Sequence, residues 1–254
     1  MPVFGREYAM IYDDLYRDKN YERECDFIEA IFSKCSGKVK TVLDLGCGTG
    51  GHALVLSKRG YYVMGVDHSG EMLKLAKIKS NRANLRTKFI KGDITNINLR
   101  QKFDAVISMF AVMSYQVNNS ALVGACKVAR KHLKPGGLFL FDCWNGPAVL
   151  IDKPTTCIKE VKLNNKEKVI RFTEPILNIL THTVEIRFKV LKIKADNIIS
   201  ESNESHLMRF LFPQEIKYFL EVAGFKKIEF CPFLELKKAL TEHYWNMTVI
   251  AKVK

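Results

Sequence analysis

One stretch constrains this chain more than any other. Residues 41–51 read Thr41-Val42-Leu43-Asp44-Leu45-Gly46-Cys47-Gly48-Thr49-Gly50-Gly51. A β-favouring apolar run passes straight into glycines. A helical run then follows through Ala53, Leu54 and Leu56 to Gly60. Glycine lets a backbone turn tightly and approach a ligand closely, and the helix N-terminus behind it favours a negative group. A strand, a glycine turn and a helix in that order commit the chain to an α/β architecture. The next segments keep the rhythm. Strands are expected at residues 62–66 (ending at Asp67), 88–91 (ending at Gly92-Asp93), 103–109 and 138–142. Helices are expected at 71–79 and 121–133, the second stopped by Lys134-Pro135-Gly136-Gly137. Near-continuous apolar strands alternating with helices imply a parallel sheet covered on both faces.

The flanks read differently. Residues 6–35 are expected to be helical, with Phe27, Ile28, Ile31 and Phe32 at helical spacing and Ser36-Gly37 ending the run. After Pro147 the period changes to two. Val184, Ile186, Phe188 and Val190 alternate with Glu185, Arg187 and Lys189, the pattern of a half-exposed antiparallel strand. Residues 157–163, 169–172 and 206–212 are its expected neighbours, with turns at Asn164-Asn165 and Asp196-Asn197. The α/β rhythm returns with a helix at 214–222, capped by Gly224, and strands at 226–230 and 244–253. The expected organisation is a helical cap over the active site (1–36), an α/β core (37–150), an antiparallel β insertion on the acceptor side (151–212) and the rest of the core (213–254).

Forty Lys and Arg against 27 Asp and Glu give a net charge of +13. That invites an anionic partner or a lysine-rich solvated surface. The seven cysteines form no C-x-x-C pair and have no histidine cluster beside them. No metal site and no disulfide framework is expected, and a reducing cytoplasm is the simplest home. Arg6, Glu7, Asp13 and Asp14 stand where a signal peptide needs an apolar run. The longest apolar run is too short to span a bilayer, so no membrane partner is expected.

The glycine loop alone is ambiguous. Gly46, Gly48 and Gly51 satisfy G-x-G-x-x-G, and Asp67 lies where a dinucleotide's ribose-binding acid belongs. Three features turn the reading. Asp44, two residues before the first glycine, would repel a pyrophosphate but suits an ammonium group. Gly92-Asp93-Ile94 places another acid where an adenine edge could be read. The chain closes with a helix and two strands instead of a second mononucleotide-binding half. A ligand with an amino acid end, a ribose and an adenine satisfies all three, and S-adenosylmethionine is that ligand.

At these residues the chain resembles the class I S-adenosylmethionine-dependent methyltransferases. Asp44 to Gly50 is similar to their first motif, Asp67 to their second, Asp93 to their third, and Lys134-Pro135-Gly136-Gly137 to their turn before the fifth strand. The resemblance implies a Rossmann-like, seven-stranded, mostly parallel sheet in the order 3-2-1-4-5-7-6. It implies that Asp44 holds the cofactor's ammonium, with Gly46, Cys47 and Gly48 lining that end. Asp67, with His68 beside it, would take the ribose hydroxyls. Asp93 and Ile94 would flank adenine, and Ser108 and Met109 would form the floor. Tyr21 and Met72 complete the implied cofactor set.

A narrower resemblance is to the sugar-nucleotide N-methyltransferases that dimethylate amino-deoxysugars. It rests on Tyr12-Asp13, Lys19, Tyr21, Arg23 and Glu24, on Ser108-Met109-Phe110 with Tyr115, on Trp144, and on Glu204-Ser205-His206. It departs at Tyr244-Trp245-Asn246, where those enzymes carry a Gly-rich, Arg-bearing stretch. The resemblance implies a small polar acceptor and N-methylation of an amino sugar or related amine. Methyl transfer is an in-line displacement in which the protein chiefly positions the acceptor. Tyr115, His206 and Tyr12 are the catalytic candidates. Tyr8, Trp144 and Asn145 join them as acceptor contacts. Tyr8, Tyr12 and Tyr16 are four apart, which puts them on one helical face. Other readings stay open: O-methylation of a sugar, RNA methylation, or a noncatalytic cofactor-binding subunit. Against nucleic acid, no Asn/Asp-Pro-Pro-aromatic motif follows the fourth strand, and the basic run from Lys74 to Lys91 falls away from the cleft. Monomer and homodimer are equally compatible with the sequence.

Overall fold

The structure, a computed structural model, describes residues 4–35, 38–195 and 197–253. The expected helix stop at Ser36-Gly37 and half of the turn at Asp196-Asn197 lie outside the described residues.

A seven-stranded sheet forms the centre. Its parallel part comprises β1 (Thr41–Leu45), β2 (Tyr62–Asp67), β3 (Lys88–Lys91), β4 (Phe103–Ser108) and β5 (Leu133–Trp144). Helices α3 (Gly51–Lys58), α4 (Gly70–Arg82) and α5 (Asn119–Lys131) connect its strands. After α7 (Pro213–Val222), strands β10 (Lys227–Pro232) and β11 (Asn246–Lys252) complete the sheet. β11 enters between β5 and β10 and is antiparallel to both. The order β3-β2-β1-β4-β5-β11-β10 is the 3-2-1-4-5-7-6 pattern implied by resemblance. The inner strands carry Leu43, Val63, Val106 and Leu140 fully or almost fully buried, as a sheet covered on both faces requires.

The N-terminal segment is two helices where one run was expected: α1 (Arg6–Leu15) and α2 (Tyr21–Cys35). The break has a local cause. The side chain of Asn20 accepts from the backbone N–H of Arg23 at 2.9 Å, an N-cap that starts a new helix. A further helix, α6 (Gly146–Ile151), follows β5 directly, with a proline in its first turn.

The insertion is a four-stranded antiparallel sheet of β6 (Cys157–Lys162), β7 (Glu167–Asn178), β8 (Thr183–Lys194) and β9 (Asn197–Arg209). β7 runs well past the expected 169–172, through Pro175. Its pairing with β6 ends at Cys157 opposite Thr173. Beyond that point one side of β7 is an edge, where a missing N–H costs nothing. α1 lies against this sheet. Tyr8, Ala9, Tyr12 and Leu15 pack in one apolar cluster with Val184, Ile186, Phe188 and Met208 of the insertion and Met72 of α4.

Among the described residues, no helix is long and apolar enough to cross a membrane, and no cluster of His, Cys, Asp and Glu could hold a metal ion.

Candidate active site

A cavity of about 790 Å³ opens at the carboxyl ends of the parallel strands, roofed by α1 and walled by the insertion. That volume lies within the roughly 300–1,000 Å³ typical of small-molecule sites. One end is built by the glycine loop. Gly46 N and Cys47 N donate to the carbonyl of Val66, and Gly48 N donates to Asp67 Oδ2 at 2.7 Å. Asp67 Oδ1 accepts from Ser69 N at 2.8 Å. Burial raises the Asp67 carboxyl, and these backbone bonds oppose it. Two glycines are sterically required. A Cβ on Gly46, whose φ is +80°, would meet Val112 Cγ1 at 2.4 Å, and one on Gly51 would meet the Tyr21 ring at 2.2 Å.

Asp44, the fourth residue of β1, is 1% exposed and does not itself line the cavity. Its Oδ2 is buried without a hydrogen-bond partner. Burial first, then the charge of Asp67, pushes its carboxyl up to about 8. An unpaired buried carboxylate oxygen at this position fits a ligand carrying an ammonium group, as S-adenosylmethionine does.

Tyr21, Gly46, Cys47, Gly48, Asp67, His68, Met72, Asp93, Ile94 and Met109 all line the cavity. Asp93 stands at its exposed rim and is partly engaged, its Oδ1 accepting from the backbone and hydroxyl of Thr95. Ser108 is different. It is fully buried and its hydroxyl donates to the carbonyl of Leu45, so its side chain ties β4 to β1 and does not form the cofactor floor.

The other end is aromatic and polar. Tyr8, Tyr12, Tyr115, Trp144 and His206 line it, together with Phe4, Tyr16, Phe188 and Trp245. Tyr115 Oη lies 2.8 Å from His206 Nδ1, and His206 Nε2 lies 3.0 Å from Glu204 Oε2. With the carboxylate accepting from Nε2–H, Nδ1 is left to accept the phenol proton. Glu204 also accepts from the backbone N–H groups of Phe4 and Gly5, at 3.0 and 2.8 Å, which ties the start of α1 to the insertion. Burial raises the Tyr115, Tyr8 and Tyr12 phenols well above their ordinary range, so they stay protonated. Asn145 corrects an expectation. It is 1% exposed and its Nδ2 donates to the carbonyls of Thr241 and Tyr244, so it braces the loop before β11 and does not meet an acceptor.

Several residues of the site escaped sequence reasoning as functional groups. Asp142, at the end of β5, is buried beneath Phe110 and Ala111 and accepts from both backbone N–H groups. A strand-end acid on the cavity side was the available signal. His52 lines the cavity with its Nε2 held by Glu24 at 2.6 Å, and Glu24 is also paired with Lys19. Lys19 Nζ stands 4.0 Å over the Phe110 ring. Arg171 and Thr173 of β7 also line the cavity. Thr49 and Lys79 both hold Asp13, fastening the end of α1 to the glycine loop and to α4.

Residues 42–137 match the family model of a methyltransferase domain. A dTDP-3-amino-3,4,6-trideoxy-alpha-D-glucopyranose N,N-dimethyltransferase of Streptomyces venezuelae is 30% identical over 152 residues, 59% of this chain and 62% of that protein. The chain thus spans about three fifths of that relative's length. A dTDP-3-amino-3,6-dideoxy-alpha-D-glucopyranose N,N-dimethyltransferase of Streptomyces fradiae is 24% identical over 240 residues, covering 90% of this chain and 87% of that one. The crystal structure of an S-adenosylmethionine-dependent methyltransferase from Clostridium acetobutylicum has the same fold. Its TM-score is 0.82 at 22% identity, over 97% of this chain and 98% of that one.

Proposed function

We propose that this chain, whose residues 42–137 match a methyltransferase domain, is an S-adenosylmethionine-dependent methyltransferase that N-methylates an amino sugar or a related small amine. The observation that carries this reading is the hydrogen-bonded series Tyr115–His206–Glu204, whose Tyr115 and His206 line the cavity.

The cofactor, when bound, supplies a methyl carbon activated by a positively charged sulfur. Asp44 would hold the cofactor's ammonium and Asp67 its ribose hydroxyls. The rings of Tyr8, Tyr12 and Tyr16 offer π faces to a cation, and Tyr12 with Tyr8 shapes the acceptor's berth. An amine must be neutral to attack and loses a proton in the course of methylation. Tyr115 Oη accepts a hydrogen bond from the acceptor's N–H. As the phenol proton passes to His206 Nδ1, Tyr115 takes the proton that the nitrogen sheds. Glu204 stabilises the imidazolium that results. Trp144 and Phe4 exclude water around this exchange.

The deciding experiment is transfer from methyl-labelled cofactor to amino-deoxysugars and to their N-acetyl forms. Label is expected on nitrogen of the free amines only. Equal labelling of the N-acetyl forms would place the methyl on oxygen and overturn the reading.

Two substitutions test the assignments. Tyr115→Phe should lower turnover by about a hundredfold, in the range of general acid–base contributions, while affinity for S-adenosylhomocysteine stays unchanged. A loss confined to cofactor affinity moves Tyr115 to the other end of the cavity. Asp67→Ala removes hydrogen bonds to a charged acceptor, each about 1.5–3 kcal/mol, and should weaken cofactor binding at least tenfold. Unaltered affinity by calorimetry refutes that role.

A further inference from the structure

We propose that the acceptor carries an uncharged apolar body, an aryl or alkyl group, beside its reacting nitrogen, and that Pro175, Ile186, Met208, Trp144 and Trp245 form the berth for it. The inference rests on the reading above that Tyr115 and His206 meet the acceptor.

Register sets what stands beside that reacting end. Ile186 of β8 lies opposite His206 of β9 on one side and opposite Pro175 of β7 on the other. Residues directly opposite in a sheet share a face, so Pro175, Ile186 and His206 form one row across the insertion. All three line the cavity. Met208, two residues beyond His206, has the same facing and lines it too. His206 Nδ1 in turn lies 2.8 Å from Tyr115 Oη. An acceptor nitrogen at that phenol therefore brings its neighbouring atoms towards Ile186, Pro175 and Met208.

Two tryptophans line the same cavity. Trp144 ends β5, and Trp245 directly precedes β11. Their rings meet edge to face with centroids 5.8 Å apart, and both residues are half-buried. Their backbones are pinned: the carbonyl of Trp144 accepts from Leu211 N at 3.0 Å and that of Trp245 from Asn145 N at 2.8 Å. Held aromatic rings give a large apolar contact at small entropic cost. Trp245 also falls in Tyr244-Trp245-Asn246, where the sequence departs from the sugar-nucleotide enzymes.

The acids, lysine and arginine around the cavity are engaged elsewhere. Lys19 pairs with Glu24, and Arg171 bonds to the phenols of Tyr16 and Tyr8. Asp67 accepts from Gly48, Asp93 from Thr95, and Asp142 from Phe110 and Ala111. The five residues of the berth bring no charge. Covering them with an apolar group removes apolar surface from water. A phosphate or carboxylate would lose its hydration against them without a partner.

The test is calorimetric titration of the protein saturated with S-adenosylhomocysteine. The probes are the phenyl, cyclohexyl and methyl glucosaminides, the phenyl and methyl glucosides that lack the amine, and thymidine diphosphate. The phenyl or cyclohexyl glucosaminide is expected to bind about ten times more tightly than the methyl one, with a more negative heat-capacity change. Which of the two gains more separates aryl from alkyl. Thymidine diphosphate should bind more weakly than either. Trp245→Ala and Ile186→Asn should each remove most of the gain, and Trp245→Phe should keep part of it. Affinity for S-adenosylhomocysteine in each variant reports whether it has folded. The berth is refuted if apolar and methyl probes bind alike, if none binds, if thymidine diphosphate binds most tightly, or if the gain survives both Trp245→Ala and Ile186→Asn. The amine reading stands or falls separately. A phenyl preference among the glucosides without the amine, with no methyl transfer to any amine, keeps the berth and discards the amine. Methyl transfer to the methyl glucosaminide with no phenyl or cyclohexyl preference does the reverse.

Discussion

Asp44→Asn is expected to weaken S-adenosylhomocysteine binding at pH 7.5 by at least a hundredfold and to abolish most of its pH dependence. The Asp44 carboxyl is buried, has a free Oδ2 and is pushed up to about 8 by burial and by Asp67. In the free protein near neutrality it therefore holds a proton for much of the time. An ammonium placed against it favours the carboxylate, so ligand binding expels that proton. Linkage then fixes the slope: well below pH 8, apparent affinity rises close to tenfold per pH unit. Calorimetry between pH 6 and 7.5 should show this rise, and buffers of different ionisation enthalpy should reveal the released proton. The sign for folding is the opposite. The unfolded carboxyl ionises near its ordinary 3.8 and the folded one near 8. Between those values the folded state binds more protons, so the ligand-free protein loses stability as pH rises through that window. The asparagine side chain would keep the shape without the titration, and breaking a buried charge pair typically costs about 3–5 kcal/mol. A wild-type affinity flat from pH 6 to 7.5, or a slope unchanged in Asp44→Asn, removes the carboxylate–ammonium assignment.

What the sequence made legible follows from the range of the forces involved. Asp67 and Asp93 line the cavity because each stands at or just beyond the end of a parallel strand, and strand ends on one edge of a parallel sheet meet at the cleft, whereas Asp44, inside β1, does not line it. The glycine loop set the spacing between them. Helices and inner strands were legible from local periodicity, because burial on both faces leaves near-continuous apolar runs such as Ala105 to Ile107.

The misses have equally physical origins. The helix break before Tyr21 was written in Asn20, a capping residue overlooked because no proline or glycine marks the spot. Ser108 and Asn145 were placed by strand position, but a strand alternates faces. Their side chains turn to Leu45, Thr241 and Tyr244. Arg171 carried no local signal at all. It reaches the cavity only because β7 pairs with β8 in a register fixed by residues far along the chain. Glu204 was noticed as part of a short motif, yet its partnership with His206, Phe4 and Gly5 depends on the cap folding onto the insertion.

The second large effect belongs to Asp142. Asp142→Ala should lower stability by about 3–5 kcal/mol and turnover by more than tenfold, while S-adenosylhomocysteine affinity falls much less. The Asp142 oxygens accept from Phe110 N at 2.5 Å and Ala111 N at 3.0 Å. Those two residues have φ of +69° and +56°, successive left-handed positions occupied without glycine. For an L-residue each costs roughly 1–2 kcal/mol, so the turn needs an external tie. Burial pushes the Asp142 carboxyl up to about 7, against the pull of Lys19 and of these two N–H groups. The turn leads into the 3-10 segment Val112–Tyr115, which sets Val112 against Gly46 and carries Tyr115. Removing the carboxyl leaves two inward N–H groups unpaired and frees Phe110 and Ala111 to relax. Tyr115 then loses its fixed distance to His206. Urea unfolding measures the first effect and steady-state kinetics the second. Adding Ala111→Gly to Asp142→Ala supplies the discriminating measurement. Glycine accepts a positive φ without the Cβ penalty, so it should return about 1 kcal/mol of stability and part of the turnover. If the single variant is destabilised by less than about 1 kcal/mol, the turn holds itself and Asp142 does not position Tyr115.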